Sequence, residues 1–194
     1  MKMVFVDVDT QLDFVVPAGA LYVPGAEKIV PAVARLNSYA ASKGIPVLST
    51  TDAHAEDDPE FRQWPPHCVA GTLGQRKPAG TLLGSRGVLS TRPGDTAAAG
   101  VQQIIVEKQA LDAFTNPNLG PLLERLGGER YAVYGVVTEY CVRCAALGLL
   151  KRGAEVLVVT DAIQTLKEED GRRALEELTG GGAKLATVAE ITGG

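Results

Sequence analysis

Tyr134-Gly135-Val136-Val137-Thr138-Glu139-Tyr140-Cys141-Val142-Arg143-Cys144 is the stretch whose reading decides the fold. Leading into it, residues 130 to 137 are apolar and β-branched, the composition of a buried strand. Behind it, Val142, Ala145, Ala146, Leu149 and Leu150 recur at helical spacing. Cys141 therefore stands where a strand gives way to a helix. A helix start offers unpaired amide N–H groups and the positive end of a dipole, and both favour a thiolate. From this turn alone two readings stay open: a nucleophile, or a buried structural thiol.

Working outward, the same alternation repeats. Val4-Phe5-Val6-Asp7-Val8-Asp9 reads as a short buried strand ending at carboxylates, followed by the turn Asp9-Thr10-Gln11-Leu12-Asp13-Phe14. Ile29, Val30, Val33, Leu36, Tyr39 and Ala40 lie on one face of a helix expected over 26–43 and stopped by Gly44. A second strand over 45–50 ends at Thr51-Asp52, and a third over 103–107 ends at Lys108. Asn116 is the expected cap of a helix over 117–126. Beyond the opening stretch come a strand over 155–160, a helix over 167–178 and a last strand over 183–188. Residues 53–100 are irregular and rich in glycine and proline, with Leu82-Leu83 and Val88-Leu89 expected to add a short helix or hairpin. A loop region of that length inside a compact domain is usually functional.

Buried strands alternating with helices predict an α/β fold: three αβα layers around a Rossmann-like, mainly parallel six-stranded sheet, in a single domain over 1–194. The net charge of −4 and the absence of a basic block argue against nucleic acid or anionic membrane as partner. The apolar runs are too short to span a bilayer, and the N-terminus lacks a secretory cleavage pattern. Three cysteines cannot all pair with one another, so a reduced, cytoplasmic protein is expected.

In such folds ligands bind beyond the carboxyl ends of the strands. That rule gathers Asp7, Asp9, Asp52, Lys108, Cys141 and Asp161. Asp9, Lys108 and Cys141 suit thiol chemistry on a carbonyl: the carboxylate takes the thiol proton, and the ammonium steadies the thiolate. The alternative is that strand ends carry polar residues because the backbone there meets solvent. Both histidines, His54 and His67, lie near Asp52 and Glu60, a donor set suited to zinc, iron(II) or manganese; the alternative is a solvated polar loop. Phe14, Trp64 and Tyr140 could wall a pocket for a flat ring, or simply pack the core. Cys141-Val142-Arg143-Cys144 has redox spacing but lacks the usual intervening proline or glycine, so Cys144 is expected to pack behind Cys141. Asp7-Val8-Asp9-Thr10 supports a rival reading as a haloacid-dehalogenase-like phosphohydrolase. There Asp7 would be nucleophile, Asp9 acid/base, Ser49 or Thr50 a phosphate ligand, Lys108 a charge balance, and Asp161 a magnesium ligand. That scheme leaves His54, His67 and Cys141 idle.

Together these motifs resemble the isochorismatase-like cysteine hydrolases, and within them the nicotinamidases. The likeness is carried by Asp9-Thr10-Gln11-Leu12-Asp13-Phe14, Asp52-Ala53-His54, residues 64–72 (Trp64-Pro65-Pro66-His67-Cys68-Val69-Ala70-Gly71-Thr72), Lys108, and Gly135 to Val142, in that order. The resemblance implies a triad of Asp9, Lys108 and Cys141. It implies one divalent metal, zinc foremost with iron or manganese as alternatives, on Asp52, His54 and His67, with Glu60 as a further ligand. It implies a cis peptide at Val136–Val137 and an oxyanion hole from the backbone N–H groups of Val137 and Cys141. The implied activity is hydrolysis of nicotinamide to nicotinic acid and ammonia through a cysteine thioester, in NAD salvage, by a homo-oligomer. Hydrolysis of another amide or a carbamoyl compound is the alternative within the family, where most members outside the nicotinamidases lack the metal set.

Overall fold

The computed structural model describes residues 1–96 and 98–194. Within the irregular stretch expected over 53–100, Ala97 thus lies outside the described residues. In chain order the main elements are β1 (Met3–Val8), α1 (Leu12–Val15), α2 (Val30–Ser42), β2 (Val47–Asp52), β3 (Arg86–Leu89), β4 (Gln103–Lys108) and α3 (Leu119–Leu126). They continue with β5 (Arg130–Val136), α4 (Arg143–Lys151), β6 (Glu155–Gln164), α5 (Glu168–Gly180), β7 (Lys184–Ala186) and α6 (Val188–Thr192).

Among the described residues the strands form one seven-stranded sheet in the order β3-β4-β2-β1-β5-β6-β7, parallel at every pairing. Six strands were expected; the added one is β3, which forms neither a hairpin nor a helix but an edge strand beside β4. Its Val88 is exposed and its length only four residues, so it carries little of the apolar pattern that marks a buried strand.

Alternation along β1 sends side chains to two opposite cores. Val4, Val6 and Val8 share one core with Leu122 and Leu123 of α3, Ala145 and Leu149 of α4 and Leu178 of α5. Phe5, Tyr134 and Val136 share the other with Val33, Leu36 and Ala40 of α2 and Val188 of α6. Full burial of a valine or leucine side chain contributes about 1.5–3 kcal/mol, so Val33 and Leu36, both fully buried, anchor α2 against the sheet.

Several boundaries differ from the sequence reading. The helix expected from residue 26 begins as the short turn Ala26–Lys28 and starts afresh at Val30, where Pro31 falls in the first turn; proline is tolerated only there. The strand expected over 183–188 stops at Ala186, because Thr187 and Glu190 form a reciprocal capping box that starts α6. Asn116 does not cap α3 directly. Its side chain donates to the carbonyls of Leu89, Ser90 and Glu107, stapling β3 to β4.

The chain leaves β1 toward β2 and β4 on one side and enters β5 on the other. Strand order reverses here, and a crevice opens at the carboxyl ends of the central strands. Close approach of β5 to β1 requires Gly135, whose φ is 119° and whose Cβ, if present, would strike the backbone of Val8.

Candidate active site

Four strand ends converge on the crevice. β1 ends at Asp9, whose backbone is left-handed with φ 47°. Its N–H donates to the Thr50 carbonyl at 3.1 Å, and the Thr50 hydroxyl donates to Asp9 Oδ1 at 2.6 Å. One carboxylate oxygen is thus held and the other turned toward β4. Lys108, at the end of β4, brings Nζ to 2.9 Å from Asp9 Oδ2. The same ammonium donates to Asp52 Oδ1 at the end of β2 and lies 3.7 Å from Cys141 Sγ. Asp52 is itself fixed by Gln11, which accepts from its N–H at 2.7 Å and donates to its carbonyl at 2.8 Å.

Cys141 lies in a π-type turn, Thr138–Val142, that feeds α4. The Val136–Val137 peptide is cis. Burial leaves Cys141 7% exposed and pushes its thiol well above the usual range; Lys108 opposes this, while Asp9 and Asp52 add to it. The resting thiol therefore keeps its proton and needs an adjacent base, which Asp9 offers. Burial works against the Lys108 ammonium, but Asp52, Asp9 and then Cys141 hold it protonated, well above its ordinary range. Asp52 is raised by burial, with Lys108 pulling it down and Asp9 pushing it up. Two ionised carboxylates around one ammonium would leave the cluster one positive charge short.

The donor set beside Asp52 fits a cation that would supply that charge. His54 Nδ1 lies 2.9 Å from Asp58 Oδ2, and an ionised carboxylate can only accept, which places the proton on Nδ1. Nε2 is then a bare lone pair, and it is buried without a hydrogen-bond partner. His67 Nδ1 lies 2.8 Å from the Pro65 carbonyl, which fixes the same tautomer by the same logic. Both Nε2 atoms are 3.9 Å from Asp52 Oδ2, and the three ligand atoms fall within 4.8 Å of one another. Glu60 groups with His54 and Asp58 rather than with this trio.

Asp9, Asp52, His67 and Cys141 border one cavity, with an empty volume of about 450 Å³ including its mouth. Phe14, Trp64, Tyr140, Glu60 and Val137 border it too. Trp64 and Tyr140 form an edge-to-face pair with ring centroids 5.8 Å apart. Phe14 packs on His67 at 5.4 Å, and Phe61 packs on both imidazoles at 5.4 and 5.7 Å.

Asp7 and Asp161 are not part of this site. Asp7 is fully buried against α2, where it accepts from Lys77 at 3.0 Å, Thr10 at 2.7 Å, Asn37 at 3.0 Å and Ser49 at 3.3 Å. A carboxylate so engaged is no nucleophile. Asp161 accepts the Val188 N–H at 2.8 Å, tying β6 to α6. Thr50 is spent on Asp9 and Ser49 on Asp7. The phosphohydrolase scheme thus loses its nucleophile, its phosphate ligands and its metal carboxylate. The three cysteines are free thiols, Cys144 half-buried and Cys68 fully buried.

Sequence reasoning assigns Thr50 only a phosphate-binding role in the rival scheme, includes Gln11 and Asp13 in the motif over 9–14 without assigning them a role, and does not single out Asp58. Asp13 accepts from the Cys68 N–H at 2.7 Å and so holds the loop that presents His67. For Asp58 the available signal was Asp58-Pro59, an acidic cap before a proline.

Known proteins carry the same arrangement of chain. A family model described as the isochorismatase domain matches residues 3–77 and 87–190. The nicotinamidase of Escherichia coli is 26% identical, over 94% of this chain and 93% of its own length. Among solved structures, the pyrazinamidase of Pyrococcus horikoshii in complex with zinc is 33% identical with a TM-score of 0.80, covering 96% of this chain and 99% of its own. The N-carbamoylsarcosine amidase from Thermoplasma acidophilum is 27% identical with a TM-score of 0.79, covering 98% and 99%.

Proposed function

The chain belongs to the isochorismatase family, and from that premise we propose a metal-containing cysteine amidohydrolase that converts nicotinamide to nicotinic acid and ammonia. The observation that carries this reading is Lys108 Nζ, 2.9 Å from Asp9 and 3.7 Å from Cys141, beside a cavity that His67 also lines. A base, a cation and a nucleophile stand together next to a donor set for a metal ion that would anchor a ring nitrogen.

The reaction follows from these positions. Asp9 takes the Cys141 proton, and the thiolate attacks the carboxamide carbon. The backbone N–H groups of Val137 and Cys141 meet the developing oxyanion, and Lys108 balances the charge around the thiolate. Asp9 returns the proton to the departing nitrogen, ammonia leaves, and a thioester joins the acyl group to Cys141. Asp9 then deprotonates water, which attacks the thioester carbon. Nicotinic acid is released and the thiol regains its proton. A divalent ion, zinc foremost, held by Asp52, His54 and His67 would supply a Lewis-acidic anchor for the pyridine nitrogen, directly or through water. Phe14, Trp64 and Tyr140 enclose the ring.

The competing reading within the family is an amidase for a carbamoyl compound or another amide. The wall of the cavity weighs against an anionic one. It contains no arginine and no lysine, and the nearby Lys108 is already paired with two carboxylates. A substrate with its own carboxylate would find no cationic side chain free in that wall and would have to pair with the ion that Asp52, His54 and His67 would hold, whereas a neutral aromatic amide needs no ion pair. The family resemblance further supports a single domain over 1–194 that self-associates, which light scattering of the purified protein tests. Among the described residues no helix is long and apolar enough to cross a membrane.

The deciding experiment is ammonia release from nicotinamide, run beside Cys141→Ala. Release by the wild type that vanishes in the variant is the expected result. Equal release by both would remove Cys141 from the chemistry. A metal-loaded wild type that leaves nicotinamide intact would move the substrate to another amide.

A further inference from the structure

Asp58 does two things at once. It caps the short turn Pro59–Arg62, accepting the Glu60 N–H on Oδ1 at 2.9 Å. Its other oxygen faces His54 Nδ1, also at 2.9 Å. The turn it caps carries Glu60, which borders the cavity, and Phe61, whose ring packs on His54 and His67. The Asp58 side chain is only 10% exposed, and the His54 ring is fully buried.

We propose that Asp58 is the positioning residue of the cation site: it locks His54 in the Nδ1–H tautomer, leaves the Nε2 lone pair for a cation shared with Asp52 and His67, and couples cation binding to the turn that walls the pocket. The proposal rests on reading Asp52, His54 and His67 as ligands. A neutral imidazole exchanges freely between two tautomers, and only one presents a lone pair at Nε2. With a carboxylate at Nδ1, the wrong tautomer would set a lone pair against an oxygen anion in a buried place. The orphaned His54 Nε2 is what such a lock produces. Acceptors of this kind also raise the basicity of the coordinating nitrogen. His67 Nδ1–H donates the equivalent bond to the Pro65 carbonyl, which no side-chain substitution can remove. Asp58 is therefore the member of the pair whose contribution can be isolated. Asp58 and Glu60 could in principle ligate through His54 Nδ1 instead, since the three group together. At 2.9 Å from an ionised carboxylate, which can only accept, that nitrogen needs its proton and has no lone pair left for a cation.

The test uses the full chain with Asp58→Asn, Asp58→Ala and Asp58→Glu. Zinc affinity is measured by competition with a chromophoric chelator, and the His54 tautomer by nitrogen-15 NMR of the metal-free protein. Far-UV circular dichroism and the urea midpoint confirm that each variant folds. The wild type is expected to show Nδ1–H at His54. The alanine and asparagine variants are expected to lose that preference and to bind zinc about 10- to 100-fold more weakly, with part of the loss restored by glutamate. A general structural role would move the urea midpoint without moving the tautomer. Nε2–H at His54 in the wild type, or unchanged zinc affinity in the folded alanine variant, would overturn the proposal alone. A wild type that binds no zinc would overturn it together with the metal reading.

Discussion

Lys108 is the side chain on which the site's electrostatics turn, because it is 1% exposed and shared between Asp9 and Asp52. Removing it would strand two carboxylates in a buried place. Lys108→Met is expected to destabilise the fold by about 3–5 kcal/mol, read as a lowered urea midpoint, and to abolish turnover. Cys141→Ala should behave differently. On the proposed mechanism it removes the nucleophile and no charge, so kcat is expected to fall by about 10⁴-fold or more while bound metal, measured by elemental analysis, stays at the wild-type level. Much of this site was legible in the chain, since Asp9, Asp52, Lys108 and Cys141 each lie at the end of a strand or in a short turn beyond it, and strand ends share one edge of a parallel sheet. What periodicity does not reveal is which neighbour orients which. Thr50 and Gln11 look like ordinary strand and turn residues, and their hydrogen bonds span 41 positions. Asp7 misled for a related reason: it lies two positions from Asp9, but the left-handed backbone at Asp9 separates them, and Asp7 stays inside with Lys77.

Elements matter here mainly through how β5 is seated. Gly135 permits contact with Val8 that no other residue allows. Gly135→Ala combines an unfavourable backbone conformation with a backbone clash, and the expected loss is about 2–5 kcal/mol. Chemical denaturation measures it, and a loss below 1 kcal/mol would mean that β1 and β5 can part without cost. The elements that sequence patterning found are those with a deep apolar face: β1, β2, β4, β5, β6 and the helices α2, α3, α4 and α5. Those it missed or misplaced are short or marginal. β3 has one buried residue in four, and α6 is a five-residue helix whose start is set by the Thr187–Glu190 capping box and not by an apolar stripe. Hydrophobic period carries information in proportion to the area a segment buries, and these segments bury little.

For the molecule as a whole, a ligand that binds the folded chain and not the unfolded one adds its binding free energy to stability. Free zinc at about 100 times its dissociation constant is expected to stabilise the protein by about 2.7 kcal/mol, and a chelator to reverse this, read by thermal unfolding. The arrangement of charge around the crevice predicts selection as well. A carboxylate-bearing aliphatic amide should be turned over with kcat/KM about 100-fold or more below that of nicotinamide; comparable values would show that the wall does not discriminate by charge. One consequence lies in the segment between His54 and Val69. His54 pairs with Val69 in an isolated bridge, with backbone bonds from His54 to Cys68 at 3.2 Å and from Ala70 to His54 at 2.9 Å. The segment is therefore a loop pinched shut at its neck, and Glu56, Asp57 and Arg62 stand exposed at its rim. A protease that cuts at Arg62 would sever the chain without releasing either piece. His54 and His67 would remain on opposite banks of the nick, held by the neck, and brief trypsin treatment should yield a nicked protein that migrates intact on a native gel and separates only in denaturant.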